Sequence, residues 1–235
     1  MIKLSLLVIL LVGSTGIVFG QKAAPTPEAP KLYSARTPAD CTEAPPSNNP
    51  RTRRSMKIRG PQAGAGYTAY NGGKAIDVNE WFKYTCGLNK FVTDNPPGDA
   101  PIEGAENVTV TLTGYVLAVK YMRTGDGDVH VELAETADWN GDHMVVEMSP
   151  GTDFCKARAA LWKIVQKDGC AGDECILKKP IKVTVTGYML LGQVPQGTTD
   201  YCNAISTRGL KDDQHPGKVR GIWRLQPVLS LKAVK

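Results

Sequence analysis

The chain has 235 residues, with 28 lysines and arginines against 23 aspartates and glutamates, a formal net charge of +5, 42% hydrophobic residues and 6 cysteines. A charge this mild over such a length excludes any argument from global electrostatics to a partner. There is also no Gly-x-Ser-x-Gly elbow, no His-Glu-x-x-His and no phosphate-cradling glycine loop before a helix, so the common hydrolase and nucleotide-binding signatures are absent.

Lys3, the apolar run Leu4 to Val12 and the small residues Val18 and Gly20 read as a secretory signal peptide over 1–20, cut before Gln21. Ser14, Thr15 and the nearby glycines break that run too early for a membrane span, so the mature chain is expected to carry none and to be secreted or periplasmic. In that oxidising compartment Cys41, Cys86, Cys155, Cys170, Cys175 and Cys202 are expected to pair. Sequence alone leaves the connectivity open, but the turn-forming Ala171-Gly172-Asp173-Glu174 favours Cys170 with Cys175.

Residues 21–66 are proline-rich and poor in large apolar side chains, which predicts a disordered basic linker. Its cluster Arg51, Arg53, Arg54, Lys57 and Arg59 reads as a solvated tether, with contact to a polyanion as the functional alternative. From 67 to 106, Val78, Trp81, Phe82, Cys86, Leu88 and Phe91 at mixed spacing predict a short helix or irregular layer packed on the C-terminal strands, until Asn95-Pro96-Pro97-Gly98 breaks the chain.

Residues 107–235 carry the periodic elements. Val108, Val110 and Leu112 alternate with threonines before Gly114, which predicts a long first strand over Asn107 to Met122, bent at the glycine. The phrase Lys182 to Tyr188 repeats that pattern and predicts an equivalent fourth strand. Between them a second strand, Asp128 to Glu135, alternates Val129, Val131 and Leu133 with His130, Glu132 and Ala134. A third strand puts Met144, Val146 and Met148 inward, with His143, Val145 and Glu147 outward. A hairpin symmetric about the connection Thr136 to Asp142, which contains the turn signal Asn140-Gly141-Asp142, places Glu132 opposite Glu147 and His130 diagonal to it. Pro150 to Asp153 start a helix striped by Phe154, Ala157, Leu161, Ile164 and Val165, with Trp162 read as core, and Gly221 to Val234 form a fifth strand. The order β-β-β-α-β-β predicts an all-β fold with one helix, a five-stranded OB-like barrel whose ligand face lies on the second and third strands.

Asp126-Gly127-Asp128-Val129-His130 packs two carboxylates and an imidazole at a strand start. That set could ligate a divalent cation such as calcium with help from Glu147, although Asp-Gly is also a common turn. His130-Val131-Glu132 echoes the His-x-Glu of zinc deaminases, but without their paired cysteines it reads as two residues sharing a strand face. Asn107-Val108-Thr109 is a glycosylation sequon that matters in a eukaryotic source.

Two family resemblances arise at these residues. Gly114, Gly-Asp-x-His entering the second strand, Val145-Val146-Glu147, Arg158 on the helix and the closing Pro227-Val228 resemble a family of uncharacterised secreted bacterial OB-like domains. Its members tend to read Glu-Leu-His-Pro-Val where this chain has Arg224-Leu225-Gln226-Pro227-Val228. Asp126-Gly127-Asp128 with Val145 to Pro150 is similar to staphylococcal-nuclease-like domains, which implies Asp128 and Glu147 as calcium ligands. Gly151 or Thr152 stands where that family carries its general-base glutamate, and no arginine occurs between Arg123 and Arg158. The function expected is thus a binding module using His130, Glu132, Trp139, His143, Glu147 and Gln226. The alternatives are a metal-dependent phosphodiesterase built on Asp126, Asp128 and Glu147, and a structural envelope-associated protein.

Overall fold

The computed structural model describes residues 53–60, 66–122, 126–170, 173–205 and 219–234. The expected signal peptide and the linker residues 21–52 and 61–65 lie outside them. In chain order the elements are α1 (Arg54–Lys57), β1 (Thr68–Ala69), β2 (Ile76–Asp77), α2 (Val78–Cys86), β3 (Val108–Tyr121), β4 (Val129–Ala134), β5 (His143–Met148), α3 (Cys155–Gln166), β6 (Glu174–Leu191) and β7 (Trp223–Ala233). The fold is mostly strand, in one seven-stranded mixed sheet. Two of the seven, β1 and β2, are two-residue strands paired parallel to β3. Two residues carry no readable periodicity, so a count of five from pattern falls short of seven.

The long strands form where alternation is strongest. Along the first half of β3, Val108, Val110 and Leu112 are buried while the threonines between them are half-exposed; from Val116 to Val119 both faces are buried. Its pairings run antiparallel to β4 and to β6, β4 continues antiparallel to β5, β5 lies parallel to β7, and β7 is antiparallel to β6. The two glycines of the repeated phrase mark close backbone approaches. A Cβ on Gly114 would stand 2.9 Å from the Ala134 carbonyl oxygen, and one on Gly187 2.8 Å from that of Pro227. Register shifts follow at Val116/Ala118 in β3 and flank Gly187 in β6, so the strands change course where a side chain would obstruct their neighbours.

The β4–β5 hairpin differs from the symmetric register. His130 pairs directly with Glu147, and Glu132 with Val145. The offset is two residues, so every side chain keeps its expected face. It also replaces a glutamate pair, which repels across a ladder, by an imidazole facing a carboxylate. Val129, Val131 and Leu133 are buried with Met144, Val146 and Met148 in the core. The helix α3 begins at Cys155 after a 3-10 turn over Thr152–Phe154, buries Ala157, Leu161, Ile164 and Val165, and packs against β7; Trp162 is partly buried on the same core.

Ahead of the strands, the expected short helix is α2, capped where the Asp77 side chain accepts from the Glu80 N–H, with Trp81 fully buried. Residues 53–60, expected within an extended tether, are packed into the body. Arg53 reaches Glu106 through both guanidinium nitrogens at 2.5 and 2.6 Å. Arg59 donates to the Met189 carbonyl at 2.7 Å and lies over the Tyr188 ring. Composition hid this because a buried arginine needs one exact carboxylate or carbonyl far away in sequence. The expected Cys170–Cys175 disulfide is present, a second joins Cys86 to Cys202, and Cys155 is also disulfide-bonded. Among the described residues no helix is long and apolar enough to cross a membrane.

Candidate functional site

The turn Asp126-Gly127-Asp128 enters β4 with Gly127 at φ 72°, the left-handed region that glycine adopts without a Cβ clash. Arg158 of α3 fixes the turn by donating to the Gly127 carbonyl at 3.0 Å and to that of Met148 at 3.3 Å. From there the strand period places Asp128, His130 and Glu132 on one face of β4. The pairing brings His143 and Glu147 of β5 alongside, and the parallel neighbour β7 adds Arg224 and Gln226. Sequence reasoning treated this face as open. None of these seven residues is more than 7% exposed.

The face divides into two clusters. In the first, the Lys57 ammonium lies 2.5 Å from Asp126 Oδ2 and 3.4 Å from Asp128 Oδ2. Gln226 Nε2 donates to Asp128 Oδ2 at 2.7 Å and, more weakly, to Ser149 Oγ at 3.4 Å. Beside them Glu147 stands 3.7 Å from His130 Nε2 and 3.3 Å from Arg224 Nη1. Burial, reinforced by the charges of Asp126 and Glu147, pushes the Asp128 carboxyl up to about 8 against the pull of Lys57. Burial also works against ionisation of Asp126, but Lys57 and hydrogen bonds from Lys57 and Asp128 outweigh it and hold that carboxyl well below the usual range. The two aspartates therefore share one negative charge, balanced by one ammonium.

In the second cluster His143 Nδ1 is 2.9 Å from Glu132 Oε2, and the Trp139 ring meets the imidazole edge to face at 5.4 Å. At its rim Arg220 pairs with Asp142 at 2.5 Å.

Of the residues singled out by sequence, Asp126, Asp128, His130, Glu147 and Gln226 share the first cluster and Glu132, Trp139 and His143 the second. The residues that the sequence reading does not assign to this site are Lys57, Ser149, Arg158 and Arg224. Arg224 was legible, because it alternates with Leu225 onto the face of Gln226; Lys57 gave no signal beyond belonging to a basic run. The expected calcium ligands Asp126, Asp128 and Glu147 do lie together, with Lys57 between the two aspartates. Among the described residues no group of three or more histidines, cysteines, aspartates or glutamates is arranged to hold a metal ion. Of the basic segment, Arg53, Lys57 and Arg59 face inward, Arg51 lies outside the described residues, and only the backbone of Arg54 is described.

No family model and no curated protein matches the chain. Among solved structures it is similar to the Entamoeba histolytica asparaginyl-tRNA synthetase in complex with asparaginyl-adenylate, at 16% identity and a TM-score of 0.27 over 61% of this chain. The match spans 22% of the synthetase chain.

Proposed function

We propose that this chain is an exported OB-type binding module rather than an enzyme. The OB reading is supported by the circuit of pairings, in which β3, β4, β5, β7 and β6 each neighbour the next and β6 returns to β3. It is supported too by the place of α3 between β5 and β6 in sequence. Export is supported by the signal-like N-terminus and by disulfides that an oxidising compartment would maintain.

The observation that carries binding over catalysis is the burial of Asp128, Glu132 and Glu147 together with their partners on the β4–β5 face. A metal-dependent phosphodiesterase needs carboxylates open to substrate and to an attacking water. Here the reachable part of the face is its loop end, where Trp139 is half-exposed. Arg53, Lys57 and Arg59 are bonded inside the fold, which takes these three cations away from a polyanion.

The test is incubation of the purified mature chain with single-stranded DNA and calcium. No turnover is expected. Calcium-dependent cleavage that disappears in Asp128→Ala would overturn the binding-module reading and restore the phosphodiesterase.

A further inference from the structure

Both clusters keep a buried acceptor without a donor among the described residues, and they differ in how near that atom lies to an exposed loop. In the first it is Gln226 Oε1, on a side chain with no exposure. The second leaves His143 Nε2 buried and without a hydrogen-bond partner among the described residues, on a side chain only 2% exposed. The opposite ring nitrogen faces the Glu132 carboxylate, which accepts when ionised, so the tautomer that satisfies this contact holds its proton on Nδ1 and its lone pair on Nε2. A buried acceptor with no donor costs the fold free energy. Directly against the imidazole lies Trp139, on a loop whose residues Thr136, Ala137, Asp138 and Asn140 are exposed and free of core packing.

We propose that His143 Nε2 and Trp139 form the contact point for a neutral, hydroxyl-bearing sugar ring, the indole turning from the imidazole onto the apolar face of the sugar as a hydroxyl donates to Nε2. This rests on the reading of the chain as a binding module and names its ligand class. One lone pair suits one hydroxyl donor, whereas an ammonium would bring three donors to a place that offers a single unused acceptor. A flat ring complements a half-exposed indole. Nucleic acid fits poorly, because residues 135–142 carry Glu135, Asp138 and Asp142 and no lysine or arginine to meet phosphates. Among the described residues Arg220, whose backbone N–H donates to the His143 carbonyl, is already engaged by Asp142 and Asn203.

The experiment titrates the mature chain with cellohexaose, xylohexaose, maltohexaose and chitohexaose, and separately with oligothymidylate and calcium, by calorimetry. Protein labelled with 15N-histidine reports the Nε2 resonance of His143. The expected result is binding of at least one hexaose, weakened about tenfold or more in Trp139→Ala, with a shift of the Nε2 resonance at saturation. His143→Phe should weaken binding as much; if it does not fold, the resonance in the wild type carries that arm. A hexaose that binds equally well to Trp139→Ala, or leaves Nε2 unmoved, overturns this contact point and leaves the binding-module reading standing. Binding of oligothymidylate or calcium alone overturns the sugar assignment. Binding of none of the six overturns both.

Discussion

Replacing Asp128 by asparagine isolates the proton that the first cluster holds. The folded chain keeps this carboxyl protonated up to about 8, whereas an aspartate in the unfolded chain releases its proton near the ordinary value of 3.8. Between those values the folded state binds a proton that the unfolded state has lost, so stability falls as pH rises. The slope approaches about 1.4 kcal/mol per pH unit, or on the order of 4 kcal/mol between about pH 4 and pH 7. Asp126 has the opposite sign and another window: its lowered value adds stability that is present above the ordinary carboxylate range and lost only as pH falls below it. The groups facing Asp128 are Lys57 from α1, Asp126 from the turn, Glu147 from β5 and Gln226 from β7, with Arg158 of α3 on the adjacent Gly127 carbonyl. Asparagine keeps the shape, has an N–H₂ to donate toward Asp126 and an oxygen to accept from Gln226, and cannot ionise. Urea denaturation of both chains at several pH values between 5 and 9, under oxidising conditions, is the assay. Asp128→Asn should gain on the wild type as pH rises, with the gap levelling off above about pH 8. A gap that stays constant with pH, or a variant that loses ground with rising pH, would refute the shared-proton description.

Three further outcomes are expected. Glu106→Ala strips the buried partner from Arg53 and the acceptor from the Ile102 and Leu191 N–H groups, and should lower denaturant stability by about 3–5 kcal/mol. Deleting residues 1–60 should therefore destabilise the chain far more than deleting 1–52, as read from the melting temperature of each truncation. Replacing both Cys86 and Cys202 by serine should cost more than replacing Cys170 and Cys175, as read by the same denaturant titration. Loop-closure entropy gives about 5 kcal/mol for a separation of 116 and about 2 kcal/mol for a separation of 5.

Period-two alternation told β3 to β7 apart because each buries at least one regular apolar face, and the two Thr-Gly-Tyr phrases were legible as equivalent strands. The short β1 and β2 are two residues each, too brief to show a period even though Thr109 Oγ1 donates to the Thr68 carbonyl and Ile76 is buried. The hairpin register was misjudged by two residues, and the even offset spared every facial assignment. The clustering of Asp126, Asp128, His130 and Glu147 was readable, whereas their burial was not, because alternation cannot distinguish a polar face open to water from one closed over by charges brought from elsewhere. Lys57 lies 69 residues from Asp126 in sequence and Arg53 lies 53 from Glu106. Pairings that long-range are set by the fold, so a basic run in a proline-rich stretch looked like a tether.

The strap of residues 53–60 decides what the β4–β5 face can do. A buried carboxylate demands a counter-charge, a proton or a bonded donor. Each of these is supplied from within to Asp126, Asp128 and Glu147: the Lys57 ammonium, the Asp128 proton, the Gln226 amide, and Arg224 with His130. With its charges matched, that half gains little from an external ion and serves to lock α1 and β7 onto the turn before β4. Glu132 acts differently, because it spends its acceptor on orienting His143 and so turns the Nε2 lone pair away from itself. An oriented imidazole whose outer nitrogen lacks a donor among the described residues, under a half-exposed indole on an exposed loop, is the part of the face beside solvent where recognition can still add a bond.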